Sequence, residues 1–305
     1  MFDWAWANAY AEHRLAYYPK AVVAVPFTPV PGSRLLARDS ASRQALVEAL
    51  IRWCQQQGLS SLHQLFASDD DLVSCVQAGM LLRQTVQFHW FNQDFLNFDD
   101  FLMSLSQVKR KKINQERRKV QEAGVRFRCS TGEQINRADW DFFYRCYERT
   151  YLEHGNKPYL NPDFFSRLAA SMGDNCLLFI AEREANGIQQ ALAASLIIIG
   201  EENGQKVAYG RYWGTLERVD CLHFEACYYQ PLQWCIEHGV ARFEGGAQGE
   251  HKMARALLPV STRSAHWLAH PDFSDAVERF LQREGQGVAS YMEDLSSRSP
   301  LRKDA

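Results

Sequence analysis

The chain has 305 residues, 46% of them apolar and 23% charged, which fits about two ordinary globular domains with packed cores. A formal net charge of −2 excludes a global field that would draw in nucleic acid or an acidic membrane, so any polyanion contact must come from a local patch. The opening Met1-Phe2-Asp3-Trp4 lacks the features of a secretory signal, and the longest apolar stretch, 191–199, falls short of the ~20 residues that span a bilayer; a soluble, cytoplasmic protein is the expectation.

In chain order, residues 41–57 read as a helix ending at Gly58, 60–66 as a strand, 70–78 as a short helix ended by Gly79, and 81–90 as a strand. Residues 99–123 read as one long helix capped by Asp99, with Phe98, Phe101, Leu102, Leu105, Val108, Ile113 and Val120 in one stripe. Its second half, 109–119, carries seven basic residues and one acid, and the same angular count turns Lys109, Lys112 and Lys119 into the apolar sector. Residues 139–152 form a further helix with aromatic residues at three- and four-residue spacing, and Asn161-Pro162 opens another that ends near Gly173.

Between Cys176 and Trp213, three apolar runs are separated by Asn186-Gly187 and Asn203-Gly204. Asn-Gly suits the tight hairpin turn that needs positive φ at both central residues, so the segment predicts a three-stranded meander whose middle strand is buried on both faces. A helix follows over 222–238, with Pro231 expected to kink or split it. Then come a strand over 240–244, a polar glycine-rich loop over 245–252, a strand over 264–270 and a helix over 273–295 interrupted by Gly285 and Gly287. The helix-strand-helix-strand order of 41–90 matches that of 222–270, down to Trp53-Cys54 and Trp234-Cys235 before a glycine, which points to an internal repeat whose first copy is incomplete. The fold class is mixed α/β. The eight cysteines form no CxxC pair and read as reduced thiols; Cys221, His223, Cys227 and Cys235 match no common zinc spacing, so no metal is expected.

Several strings carry a likeness to a known family: His89-Trp-Phe-Asn, Phe98-Asp-Asp-Phe-Leu, Lys109-Arg-Lys-Lys with Gln115-Glu-Arg, Tyr209-Gly-Arg-Tyr-Trp-Gly, Leu222-His-Phe-Glu-Ala-Cys-Tyr-Tyr and Phe243-Glu-Gly-Gly-Ala-Gln-Gly-Glu-His-Lys. Together they resemble the Fem-like predicted N-acyltransferases described as peptidoglycan biosynthesis/recognition proteins. The resemblance implies tandem GNAT-like domains: a partial one over 1–97, a basic connecting helix over 98–123 and a second domain over 124–305. It also implies transfer of an acyl or aminoacyl group, from acyl-CoA or aminoacyl-tRNA, to an amine, with peptidoglycan or its precursors as context. Family members usually carry a further segment before the Phe2-Asp3-Trp4 string. GNAT enzymes usually bind pyrophosphate with a glycine-rich loop at the junction that here reads Tyr212-Trp-Gly-Thr-Leu-Glu-Arg-Val-Asp-Cys221, where only Gly214 is present.

Amine acylation needs a base for the ammonium proton, and His223 and Glu225, in the first turn of the helix after the meander, are the candidates. Arg211 and Tyr212, at the end of its third strand, are placed to hold a phosphate or carboxylate. The loop residues Gln248, Glu250, His251 and Lys252 offer donors, acceptors and a titratable imidazole for substrate contact. The expected arrangement is one cleft shared by Arg211, His223, Glu225 and this loop. Lys109, Arg110, Lys111 and Lys112 are the candidates for polyanion contact, tRNA included; a solvated helix or a non-catalytic binding module are the competing readings.

Overall fold

The computed structural model describes residues 3–246 and 249–302. Helix α1 (Trp4–Glu12) and strand β1 (Ala21–Val23) precede α2 (Ser40–Gln56), β2 (Ser61–Gln64), α3 (Asp69–Gln77) and β3 (Leu81–Phe91). Asp39 caps α2 by accepting from the Ser42 N–H, and Ser68 caps α3, whose first turn carries three aspartates that complement the helix dipole. The chain continues through α4 (Phe98–Met103), α5 (Gln107–Glu122), β4 (Val125–Thr131), α6 (Arg137–Glu153), α7 (Pro162–Met172), β5 (Cys176–Ala185), β6 (Ile188–Glu202) and β7 (Gln205–Thr215). Next, α8 (Leu222–Phe224) runs into a π-helical turn, Glu225–Tyr229, and then α9 (Gln230–Glu237). Strands β8 (Arg242–Glu244) and β9 (Leu258–Leu268) and helix α10 (Pro271–Ser297) complete the chain.

Contacts divide the chain into two compact units. One takes the chain up to Gln87 together with Pro259–Arg298; the other takes Phe88–Leu258 and the residues from Ser299 on. The units therefore depart from the order 1–97, 98–123 and 124–305. The last strand and helix pack with the N-terminal elements, and the basic helix belongs to the second unit.

In the first unit the strand order is β1-β2-β9-β3, with β1 and β2 parallel and β2 and β9 antiparallel. Leu62, Val47, Cys54, Leu72, Cys75 and Ala265 form its core between the sheet, α2 and α3. A second feature is a buried polar chain. His63 and His266 lie opposite each other on β2 and β9, with their Nδ1 atoms 2.8 Å apart. The Tyr17 hydroxyl meets His63 Nε2 at 3.1 Å and donates to Asp3, which also receives Lys20. Ser61 and Ser264 hydroxyls lie 2.8 Å from His63 Nε2 and His266 Nε2, and the Trp6 ring covers both imidazoles.

In the second unit the order is β3-β8-β7-β6-β5-β4. The predicted meander is β5, β6 and β7. Both Asn-Gly turns have positive φ at both residues, and Leu192–Ile197 in the middle strand is buried throughout. Helices α6 and α7 cover one face with Phe143, Tyr147 and Phe165, packed on Leu178, Ile180 and Leu196. Gly214 is required by this packing, because a Cβ there would overlap the Cys146 backbone carbonyl. The mixed α/β architecture is the one the sequence predicts.

Four local expectations are revised. The helix over 99–123 is two helices: α4 is capped by Asn97, which accepts from the Asp100 N–H, and the chain turns at Leu105 before α5 begins. That turn resets the helical phase, so Lys112 and Lys119 face solvent, Lys109 is half-buried, and Glu116 is buried with Ile113 and Val120. Helix α10 passes through Gly285 and Gly287 without a break. Strand β9 starts six residues earlier than the predicted 264. Strand β4, absent from the sequence reading, pairs along β5; its polar Arg126, Arg128 and Ser130 hide the usual strand signature, and Arg128 reaches Asp139 and Glu182.

Two measurements test this description. Gly214→Ala should destabilise the second unit by several kcal/mol (~3 or more), since backbone cannot yield as a flexible side chain does; urea denaturation reads it. Burial, then the charges of His63, Arg83 and Lys20, holds His266 well below its usual pKa; burial with Lys20 lowers His63 to about 3 against the opposing pull of Asp3. Two neutral rings share one proton across the Nδ1 pair. Their contribution is complete above the unfolded imidazole pKa near 6.5 and is lost as pH falls toward about 3, so thermal stability should drop over that window and His63→Gln should flatten the drop.

Candidate active site

Strands β7 and β8 run parallel but pair only over Val207–Tyr209 and Arg242–Glu244. Past Tyr209, β7 follows β6 to Thr215, whereas past Glu244 the chain leaves the sheet at Gly245. The fork so made is a cleft of ≈150 Å³ lined by Ser195 from β6, Arg211 and Tyr212 from β7, and His223, Cys227 and Tyr228 from the helix behind. Ligands in open sheets bind where strands part at their carboxyl ends.

A bulge shapes the cleft wall. Ile197 pairs with Gly210 and Leu196 with Tyr212, so Arg211 is the extra residue in β7. Bulges re-aim side chains beside functional sites. Arg211 lines the cleft with its guanidinium 5.3 Å from the Tyr212 ring centroid. Gly210 allows close approach, because a Cβ there would press on the Phe243 ring at 3.2 Å.

The helix behind the cleft is set by its π-helical turn. The Gln230 N–H bonds the Glu225 carbonyl, five residues back. Pro231 has no N–H to continue the pattern, and the Ala226 carbonyl accepts instead from Ser195 Oγ at 2.6 Å. The expected disturbance from Pro231 thus falls in the turn before it, and it ties the helix to the cleft wall. A π turn also brings residues five apart onto one face, so His223 and Tyr228 both line the cleft, with ring centroids 5.8 Å apart.

The sequence candidates separate. Arg211, Tyr212 and His223 line the cleft. Glu225 does not. Two residues from His223 it falls on another helix face, where Arg117 Nε and Gln230 Nε2 donate to its Oε1 at 3.1 and 2.7 Å. His251 reaches the cleft through Tyr228, whose hydroxyl is 3.3 Å from His251 Nε2. Lys252 is buried behind Cys227 and Gly245, and its ammonium donates to the Gly246 carbonyl at 3.0 Å. Glu250 is exposed at the start of the short helical turn Glu250–Arg255; Gln248 lies outside the described residues. Lys109 and Arg110 are half-buried on α5, and Lys111 and Lys112 are exposed.

Protonation states follow from burial. Burial, then the charges of His251, Arg255 and Lys252, lowers His223 to about 4, so it is neutral at pH 7. Burial also lowers His251, assisted by Arg255 and Lys252, and pushes Lys252 down to about 8. The Tyr228 hydroxyl and Cys227 thiol are pushed up, which keeps both protonated. No carboxylate is among the described residues lining the cleft.

Sequence reasoning missed the support of this site. Arg255 donates to both oxygens of Glu116 at 3.0 and 2.9 Å, and the Tyr229 hydroxyl donates to the same carboxylate. Arg255 also stacks on Phe224 at 3.5 Å and donates to the His251 carbonyl at 2.7 Å. A single acid inside a basic run was the available signal for Glu116; nothing local marks Arg255 as its partner.

The junction after β7 lacks the glycine-rich run of a CoA pyrophosphate loop. Leu216 N–H bonds the Leu192 carbonyl, Glu217 N–H the Thr215 hydroxyl, Leu222 N–H the Val219 carbonyl, and Phe224 and Glu225 N–H the Cys221 carbonyl. The one glycine there, Gly214, is packed against α6. These five backbone donors are used within the fold, and the junction has no run of glycines to bring further amides onto a phosphate.

Replacing Glu116 by Gln should cost about 3–5 kcal/mol by leaving Arg255 buried and unpaired, whereas a Glu116→Leu/Arg255→Met pair should cost much less. Urea denaturation gives the energies. Hydrogen exchange should show faster opening of 250–255 in the single variant.

Residues 1–303 match the model of the FemAB-like family, described as peptidoglycan biosynthesis/recognition. No curated protein matches the chain in sequence. L-PGS from Bacillus licheniformis shares the fold at 11% identity and a TM-score of 0.55, covering 78% of each chain. The C-terminal domain of a putative lysylphosphatidylglycerol synthetase from Agrobacterium fabrum does so at 11% identity and 0.54, covering 78% of this chain and 77% of that one. A tandem GNAT protein from the clavulanic acid biosynthesis pathway aligns over 80% of this chain and 76% of its own at 11% identity, with a TM-score of 0.43. No helix among the described residues is long and apolar enough to cross a membrane. The chain belongs to the FemAB-like family.

Proposed function

We propose that this FemAB-like protein is a transferase that moves an aminoacyl or acyl group from an activated oxygen ester to a primary amine, in the fork between β7 and β8. The observation that carries the reading is the composition of that fork: a cationic Arg211, a neutral His223, a protonated Tyr228 and the buried Lys252 behind it, with no carboxylate among the described lining residues. Family membership supports the transferase class and a peptidoglycan context. The lack of a glycine-rich run after β7, whose one glycine, Gly214, is packed against α6, favours an ester donor, of which aminoacyl-tRNA is one, over acyl-CoA.

The chemistry is simple in outline. The acceptor ammonium loses a proton, its nitrogen attacks the ester carbonyl, and the carbon–oxygen bond to the leaving alcohol breaks as that oxygen regains a proton. Lys252, lowered to about 8 by burial, is partly neutral at physiological pH and, lying behind the cleft wall, is the group suited to take the ammonium proton through a bridging water. Tyr228 stays protonated and, backed by His251, suits donation to the carbonyl oxygen or the leaving oxygen. Arg211 suits a carboxylate or phosphate on either substrate. His223, neutral and packed on Trp213 at 5.5 Å, orients rather than carries charge.

The test supplies aminoacyl-tRNA or acyl-CoA with a panel of amines, including peptidoglycan-precursor peptides, and follows amide formation. Amide should form from the ester donor. Formation from acyl-CoA alone, with thiol release, would overturn the donor assignment. The rate should rise with pH through an inflection near 8, since the base is the neutral form of Lys252, and Lys252→Gln should remove the inflection. Tyr228→Phe should lower kcat by about 10²-fold with the protein still folded.

A further inference from the structure

The break between α4 and α5 leaves a surface that the cleft chemistry does not use. Leu96 is 87% exposed, Val108 75% and Met103 54%, all within one stretch around that break. The first two turns of α5 follow directly with Lys109, Arg110, Lys111 and Lys112. Arg110 Nη1 lies 2.6 Å from Met103 Sδ, which puts Met103 beside the basic run, and Leu96 is held to the start of α4 by its N–H donating to Asp100. On α5, Val108 shares a face with Lys111 and Lys112, three and four residues on, and that face turns to solvent because Ile113, Glu116 and Val120 face inward. Among the described residues, the ion pairs of α5 are made further along, by Glu116 with Arg255, Arg117 with Glu225 and Arg118 with Glu122. The acids of the patch, Asp94, Asp99 and Asp100, lie before α4 and on its opening turn, and Asp100 there accepts from the Leu96 N–H.

We propose that this patch, Leu96, Met103 and Val108 with Lys109 to Lys112, docks the protein on an anionic lipid surface. Two features select lipid over nucleic acid. Apolar side chains stand out beside the cations, where they gain by entering the headgroup boundary; phosphate-backbone binding gives them nothing. Aromatic side chains, the stacking platforms of single-stranded nucleic acid, do not occur in 103–112. Clustered lysines on an exposed helix face attract anionic headgroups at short range and weaken with salt. The overall charge of −2 limits this attraction to the patch. The proposal goes beyond the transfer reaction and stands or falls separately from it.

The full chain is to be sedimented with vesicles of phosphatidylcholine alone and with vesicles containing phosphatidylglycerol, with tRNA binding measured in parallel at the same salt. Binding is expected only to the phosphatidylglycerol vesicles, weakening as salt rises. Lys111→Glu/Lys112→Glu should reduce it about tenfold or more, and Leu96→Ser/Val108→Ser roughly threefold or more. All four side chains are exposed, and an unchanged thermal midpoint confirms that each variant is folded. Absence of vesicle binding overturns the proposal, as does binding that either pair of substitutions leaves intact. Binding of tRNA that is lost in Lys111→Glu/Lys112→Glu, without vesicle binding, reassigns the patch to nucleic acid.

Discussion

The second unit turns on one buried charge pair. Glu116 is 8% exposed and Arg255 2%; Arg255 and the Tyr229 hydroxyl donate to the carboxylate, and Arg255 Nε finds no partner among the described residues. The pair joins three segments distant in sequence: α5, the helix that backs the cleft, and the turn over 250–255. Replacing such a pair with apolar residues often costs little, so its presence is weak evidence for stability as such. What it fixes is position. Arg255 holds the His251 carbonyl, lies against Phe224 and adds its charge to those that keep His223 and His251 neutral. Geometry and protonation at the cleft therefore share one anchor.

Burial does the remaining electrostatic work. The cleft wall holds a cation at Arg211, and Lys252 lies buried behind it, where its protonated form is disfavoured. A carboxylate at the cleft would restore an ordinary lysine and a basic histidine, and would make a weaker proton acceptor of Lys252 at neutral pH. The carboxylate of Glu225 is instead turned away to Arg117 and Gln230. The helix achieves this through spacing alone, since residues two apart cannot share a face.

Much of the second unit was legible because its signals are local. Asn186-Gly187 and Asn203-Gly204 demand hairpins, and Asn161-Pro162 demands a helix start; all three occur. Arg211 and His223 were legible as well, being attached to those elements. The failures share a cause, which is phase. One unmarked turn at Leu105 rotated every later residue of the basic helix, so Lys112 and Lys119, read as facing inward, face out and Glu116 faces in. The π-helical turn shifted phase again, putting Tyr228 on the cleft face, where a count at 3.6 residues per turn would not place it. Partners fixed by tertiary structure, such as Arg255 for Glu116 or His266 for His63, leave no mark at either position.

The same phase argument links Pro231 to the chemistry. A regular α-helix from Leu222 onward would set Cys227, which already lines the cleft, and not Tyr228 in line with His223, and would exchange the hydroxyl there for a thiol that burial keeps inert. The proline makes an unbroken helix costly here, and the extra residue of the π turn absorbs that cost. The carbonyl thus freed at Ala226 finds Ser195 on β6, which fixes the helix against the bulged wall that carries Arg211. A backbone irregularity in the helix and another in the strand are joined by one hydrogen bond, and the cleft lies between them. Both are the sort of local departure from regular structure that a fold retains where side chains must converge on a ligand.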